Sequence, residues 1–449
     1  MQETIRKRII ETVQVADNDQ FPYCNIIEYK NLVLDNIWTK AIQTALDEKK
    51  CVYIPDMGHE ILLDGTVFMD SDTHLKVADQ QVIRLLPQRN VCMLRNRNMI
   101  PGGHAYVELQ NPDERITVTG GIWMAPENTS LRMDKMHTIV GGFALMAFSN
   151  VRFVNVTNVT FARSLSYALM MSNCENFYID SIRFDRFDKD GIHIDGPAKM
   201  GIIQNLDGIG LGDDMVALLA WDWYTSGVTN GDIEDILVRN IKGDNNEIRL
   251  LSGRKVYYNG KKKDCNLRRC VFENITGIYT YKMYYQPNCV NVPVGKYFDS
   301  AETVGRMDDI YFDSITIPKI RETGFNDIPI YGIFDILADC KNLNIKNVQV
   351  EPSWEELEQQ NIRLVNAGPI SATYRYTDNK EKWGDFFEPD MCCTVEDLHF
   401  KQISFAGQAI SDPDKLVKET HQTVNPDYPN TLPEGGTGFG TIQKITLEP

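Results

Sequence analysis

The sequence predicts an all-β chain wound into a single-stranded, right-handed parallel β-helix, with an N-terminal capping helix and long loop insertions. Three observations carry this reading. A short frame, apolar-x-apolar-x-polar-apolar, recurs along the chain. Its alternation has a period of two, which marks strands, and its polar break marks a bend. A segment with helical spacing precedes the first strands.

The frames are VNVTNVTF (154–161), FYIDSIRF (177–184), GIIQNLDG (201–208), ILVRNIKG (236–243), CVFENITG (270–277), IYFDSITI (310–317), LNIKNVQV (343–350) and LHFKQISF (398–405). A helical solenoid would carry period 3.6 within each unit, and these units do not. An immunoglobulin-like sandwich would carry frequent Asn-Gly hairpins, and these are sparse. Short strand units that cannot bury a face alone do so by stacking on their neighbours. The right hand is the one expected for parallel crossovers.

The elements follow in order. The chain opens MQETIRKRIIETVQVADNDQF, which is charged and lacks the apolar core of a signal peptide. DNIWTKAIQTALDEKK (35–50) places Ile37, Trp38, Ala41, Ile42 and Ala45 at helical spacing. An amphipathic helix there would close the open end of a β-helix. VYIPDMGHEILLDGTVFMDSDTHLKVA then supplies the first short strands. One domain is expected over 1–449: the N-terminal segment and cap in 1–50, main coils in 51–350, and C-terminal coils and loops in 351–449. The stretches 219–235, 250–266, 284–308 and 352–396 read as loops inserted in the solenoid.

Composition narrows the partners. The net charge of −16 disfavours nucleic acid and anionic membranes, because the overall field repels both. No stretch approaches the roughly 18 apolar residues of a membrane span. The cysteines at 24, 51, 92, 174, 265, 270, 289, 340, 392 and 393 show no zinc-type spacing, and several lie in apolar runs as buried free thiols. A reducing, cytoplasmic location is expected. A secreted chain trimmed of its leader would read the same.

Residues 210–218, GLGDDMVAL, put two aspartates side by side at the entrance of a buried strand. A tight turn, a metal site and an acid–base centre compete to explain them. In a parallel β-helix, equal offsets in successive coils lie one strand spacing apart, about 4.8 Å. Asp190 stands 13 residues beyond position 177, and Asp214 stands 13 beyond position 201. The two should therefore stack, with Asp213 beside them. The strands that follow should place Ile192 over Val216, Ile194 over Leu218, and His193 over Ala217 on the outward face. Aligning Ile248 with Val216 puts Asn246 in the row of Asp190 and Asp214, and Arg249 in the row of His193. One coil further, Lys282 and Tyr284 point outward. Trp221 and Trp223, in WDWY (221–224), leave just after the carboxylates and offer a stacking wall.

Asp before Gly is often only a turn residue. Like charges stacked from separate coils raise one another's proton affinity, a cost that a structural turn need not carry. Three aspartates also suit calcium. The acid–base reading is preferred, and no metal or cofactor is assigned. The sequence shows no serine elbow, P-loop or dinucleotide fingerprint.

At these residues the chain resembles glycoside hydrolase family 28, the polygalacturonase-like enzymes of the pectin-lyase-like superfamily. KDGIHIDG (189–196) is similar to that family's Asn-Thr-Asp-Gly motif from Asp190 onward, and GDDMVAL (212–218) to its Gly-Asp-Asp. ITVTGGIWMAP (116–126) and the cap segment are also similar, so the likeness covers roughly residues 30–350. It implies an inverting glycosidase acting on an oligosaccharide or polysaccharide. Asp213 would be the general acid, and Asp190 and Asp214 would hold and deprotonate the water. His193, Asn246, Arg249, Lys282, Tyr284, Trp221 and Trp223 would bind substrate. The family's His-Gly falls at Asn246-Glu247, and its Arg-Ile-Lys falls near Lys282-Met283-Tyr284. A neutral or differently charged glycoside is therefore expected rather than plain pectate. A lyase or uronate epimerase on the same fold is the second reading, and a non-catalytic carbohydrate-binding β-helix the third.

Overall fold

The computed structural model of the chain describes residues 1–17, 20–89, 91–99, 109–125, 144–164, 166–187, 189–221, 229–258, 261–286, 305–323, 330–368, 393–423 and 437–448. It is a parallel β-helix, about 60% strand, with nearly all pairings parallel within one continuous sheet. The frames found in the sequence are its coils. Val154, Phe177, Gly201, Ile236, Cys270, Ile310, Leu343 and Leu398 open the frames and are successive parallel partners.

The polar break has a conformational cause. The fifth residue of each frame (Asn158, Ser181, Asn205, Asn240, Asn274, Ser314, Asn347 and Gln402) has φ between +52° and +59°. Asn tolerates that left-handed backbone better than most residues. The bends also bond to one another. Asn274 Nδ2 donates to Asn240 Oδ1 at 2.8 Å, Asn240 Nδ2 to Asn205 Oδ1 at 2.9 Å, and Asn205 Nδ2 to Asp180 Oδ1 at 2.6 Å.

The alternate residues fill the interior. Phe272 stacks on Phe312 at 4.8 Å, and Tyr281 stacks on Phe334 at 4.7 Å, each pair joining neighbouring coils and fully buried. Each such ring contributes roughly 1.5–3 kcal/mol of burial. Gly201 breaks the apolar frame because a Cβ there would stand 2.1 Å from the Phe177 ring in the preceding coil. The expected cap is the helix Thr39–Lys49, which buries Ala41, Ile42, Ala45 and Leu46, with Trp38, against the first coils.

Three features differ from the sequence reading. The charged opening segment contains a second helix, Gln2–Thr12. Its Ile5 and Ile9, with Val13, lie on Ile202, Leu237, Val271 and Tyr311, which are partners in four successive coils. Arg6 pairs with Glu273 at 3.0 Å, and Arg8 with Asp235, so the helix is tied across the coils rather than along one. The stretch 250–266 is not a plain loop. The strand Ile233–Tyr258 continues outward and pairs antiparallel with Lys261–Cys265, because the chain reverses before rejoining the solenoid. Within 352–396, the helix Trp354–Gln359 and the strands Arg363–Ala367 and Cys393–Val395 belong to coils, since their apolar residues close the core. The remainder of that stretch (369–392), and 287–304, lie outside the described residues.

Among the described residues, Cys51, Cys92, Cys174, Cys270, Cys340 and Cys393 are buried free thiols, and Cys24 is a half-buried one. No described helix is long and apolar enough to cross a membrane.

Candidate active site

The site forms where a bend interrupts the coils between the strands Ile192–Leu211 and Asp214–Leu219. Asp190 precedes the first strand, and its own coil is fastened to the next by Gly191 N donating to Asp214 O at 2.9 Å. A Cβ at Gly191 would stand 2.9 Å from Met215 O, so glycine permits this approach. Ile192 pairs with Val216, His193 with Ala217, and Ile194 with Leu218. The consequence is convergence: carboxylate oxygens of Asp190, Asp213 and Asp214 all lie within 4.8 Å of one another. All three side chains are buried, with Asp213 the most accessible at 6%.

The next coil brings a cation to them. Arg249 pairs in register with Ala217, whose small side chain leaves the guanidinium room to reach back. Arg249 Nη2 donates to Asp213 Oδ1 at 2.8 Å, and Nε lies 2.9 Å from Asp214 Oδ2. Asp190 Oδ1 and Asp214 Oδ1 are buried acceptors without a hydrogen-bond donor. Such atoms are costly to leave unsatisfied, and a water or ligand hydroxyl admitted beside them would supply the missing donor. Among the described residues, these three aspartates are the group that could hold a cation, but Arg249 already supplies positive charge to two of them.

Asn246 is not in the carboxylate row. Val216 pairs with Ile248 as expected, but Asp214 pairs with Glu247, because Met215 is an extra residue bulged into the coil. Asn246 instead turns the corner, its Oδ1 accepting from Asp244 N at 2.8 Å. Glu247 takes the place in the row. Its Oε1 accepts from the Tyr279 hydroxyl, its Oε2 pairs with Lys282 Nζ, and Arg249 Nη2 is 3.8 Å away.

The remaining candidates divide. His193 faces away from the core as expected but is 1% exposed, stacked on Tyr167 at 4.1 Å. Its Nδ1 lies 2.6 Å from Asp190 Oδ2 and its Nε2 lies 3.2 Å from Asp195 Oδ1. Lys282 pairs in register with Arg249, and Asp335 follows it in the next coil. Lys282 is 2% exposed and committed to Glu247. Tyr284 is buried and donates to Asp335 Oδ2 at 2.9 Å, so it offers no open face to a sugar. Trp221 is a correction: it sits in the hydrophobic core, over Gly253, whose missing side chain makes the room. Trp223 lies outside the described residues. The sequence reading missed Glu247, Tyr279, Asp195 and Asp335. Asp195 carried a signal, since on a strand it shares a face with His193.

The charges are strongly coupled. Burial pushes Asp213 up to about 6, with Arg249 opposing and Asp190 and Glu247 adding to the rise. Burial likewise lifts Asp214 well above the ordinary carboxylate value, against the pull of Arg249. For Glu247, burial acts upward, but Lys282 and Arg249 outweigh it and hold the carboxyl below its ordinary value. Burial disfavours the Arg249 cation, yet Asp214, Asp213 and Asp190 more than compensate, so the guanidinium stays charged. The arrangement thus holds two carboxyls, Asp213 and Asp214, whose burial favours the protonated form.

No protein-family model matches the chain, and no curated protein does. Solved structures do. The Family 28 exopolygalacturonase of Yersinia enterocolitica is 12% identical over 95% of this chain and 78% of that one, with a TM-score of 0.52. A hyperthermoactive exopolygalacturonase of Thermotoga maritima is 14% identical over 91% of this chain and 97% of that one, also at 0.52. The surface adhesin PfbA of Streptococcus pneumoniae is 16% identical over 85% and 91%, at 0.46. At such identities the likeness is one of fold: the chain is a parallel β-helix, as these proteins are.

Proposed function

We propose that this protein is a glycoside hydrolase that cleaves O-glycosidic bonds of a pectin-like or other plant-type oligosaccharide or polysaccharide. The observation that carries the reading is the convergence of Asp190, Asp213 and Asp214 around two buried acceptors that lack donors. Glycoside hydrolysis needs one carboxyl to protonate the leaving oxygen and another to activate water or attack the sugar. Asp213 takes the first role: it is the most accessible of the three, and so the one best placed to meet a leaving oxygen. Asp190 and Asp214 hold and deprotonate the water. Arg249 steadies the negative charge and orients sugar hydroxyls. Inversion is what the resemblance implies, and the anomeric configuration of the first-formed product reads it directly.

A lyase or epimerase would need a neutral Lys or Arg as base, with the carboxylates free for a metal. Here Arg249 stays charged between Asp213 and Asp214, and Lys282 is paired with Glu247. These pairings favour hydrolysis over elimination. The deciding experiment is a reducing-sugar screen over pectic and other plant oligosaccharides, run beside Asp213→Asn. Hydrolysis predicts new reducing ends lost in the variant. An unsaturated, ultraviolet-absorbing product would indicate elimination, and equal behaviour of the two proteins would indicate a binding role.

A further inference from the structure

We propose that Glu247 sets the substrate class: by holding Lys282 it makes the subsite beside the aspartates one for a neutral sugar, rich in hydroxyls and without a carboxylate. The inference rests on the glycosidase reading above and adds the chemistry of the sugar to it.

The bulge at Met215 is what brings Glu247 opposite Asp214 and into the row. Both of its oxygens are engaged, one by Tyr279 and one by Lys282, and Arg321 lies over the Tyr279 ring at 4.7 Å. Lys282 also has Asp335 as its register neighbour on the far side, itself bonded by Tyr284 and Asn366. Arg249 is occupied by Asp213 and Asp214, and His193 lies between Asp190 and Asp195. Arg249 and Lys282 are therefore already countered by carboxylates, while Arg321 lies on the Tyr279 ring. A substrate carboxylate entering here would meet Asp190, Asp213 and Asp214, with Arg249 and Lys282, among the described residues, already paired. Like charges in a desolvated site oppose binding strongly. Sugar hydroxyls, by contrast, can donate to Asp190 Oδ1 and Asp214 Oδ1, the acceptors that lack donors. A carboxylate in place of a hydroxymethyl group gives up such a donor.

The test uses matched oligosaccharides that differ only at C6, such as galacto-oligosaccharides against oligogalacturonates, and gluco- against glucurono-oligosaccharides. Hydrolysis is measured with the wild-type protein, and binding with Asp213→Asn. The wild type is expected to prefer a neutral member by about 100-fold or more in kcat/KM, and Asp213→Asn to bind the neutral member more tightly. Glu247→Gln frees Lys282 and is expected to narrow the preference at least tenfold, chiefly by lowering KM for the carboxylated member; Glu247→Asp should restore it. Equal or better use of the carboxylated series by the wild type overturns the inference while leaving the hydrolase reading intact. An unchanged preference in a folded Glu247→Gln overturns the role of Glu247. If no glycoside is cleaved but the neutral series binds preferentially, the hydrolase reading fails alone. If neither series binds, the inference fails too. The wild-type comparison decides even where Glu247→Gln does not fold.

Discussion

His193 stands between two carboxylates, its Nδ1 2.6 Å from Asp190 Oδ2 and its Nε2 3.2 Å from Asp195 Oδ1. All three side chains are buried, and the ring is pressed against Tyr167. The imidazole thereby fixes where the Asp190 oxygens point, and Asp195 fixes the imidazole. His193 and Asp195 are positioning residues, and Asp190 is the group they aim. Asp195→Asn is expected to lower kcat by about 10- to 100-fold, the cost of a small misplacement at a reacting centre. KM should stay within about threefold, since Asp195 touches no substrate. Steady-state kinetics on the best glycoside of the screen checks this. A matched fall in thermal midpoint with unchanged kcat would show that the triad only supports the fold.

The acid role of Asp213 has a sharper signature than loss of activity. Asp213→Asn is expected to reduce kcat by about 10²- to 10⁴-fold on natural glycosides, the usual worth of a general acid. Aryl glycosides with a good leaving group need little protonation, so their loss should be much smaller. Rates measured over a series of leaving groups test this. An equal loss across the series would move the acid role to Asp190 or Asp214.

The pH dependence has a definite sign. Asp213 works as an acid only while protonated, and burial lifts its pKa to about 6. Activity should therefore fall as pH rises through about 6, with the apparent value belonging to the coupled carboxylates as a set. Stability follows the same direction. A carboxyl whose folded pKa is raised contributes stability fully below its unfolded pKa, near 4, and loses it as pH rises through the folded value. Asp213→Asn, which keeps an acceptor for Arg249, should raise the thermal midpoint by a few degrees at pH 7.5 and hardly at all at pH 4. A midpoint difference that grows toward low pH would contradict the raised pKa.

The sequence was most legible where hydrophobic pattern and repetition act together. Core-facing residues such as Ile192, Val216 and Ile248 fix the register, and the structure pairs them as counting predicts. The convergence of Asp190 with Asp213 and Asp214 follows from the same count. The count failed one residue away, at Asn246. Both Asn246 and Glu247 are polar, so nothing in the apolar pattern reveals that Met215 is bulged. Trp221 was misplaced because a loop-edge tryptophan looks like a ligand wall until the space over Gly253 is seen. The helix Gln2–Thr12 carried a faint signal, Ile5, Ile9 and Val13 at intervals of four. Its partners lie in coils hundreds of residues away, which short-range spacing cannot show.

The bends make the last prediction, and it concerns the fold rather than the site. Asn240 has φ +55° and both donates to and accepts from its ladder neighbours, Asn205 and Asn274. Two costs can be separated there. Asn240→Gly keeps the left-handed backbone available and loses only exposed side-chain bonds, so it should cost under about 1 kcal/mol. Asn240→Ala adds the Cβ penalty of left-handed backbone, about 1–2 kcal/mol. Asn240→Val should be worse again, because a β-branched residue is a poorer fit at positive φ. Thermal midpoints are expected in the order Asn, Gly, Ala, Val. Because each coil contacts mainly its neighbours, hydrogen exchange should locate the loss in the coils around 205, 240 and 274. A valine variant as stable as the asparagine would mean that the polar break is set by solvent exposure alone, and not by the backbone conformation of the turn.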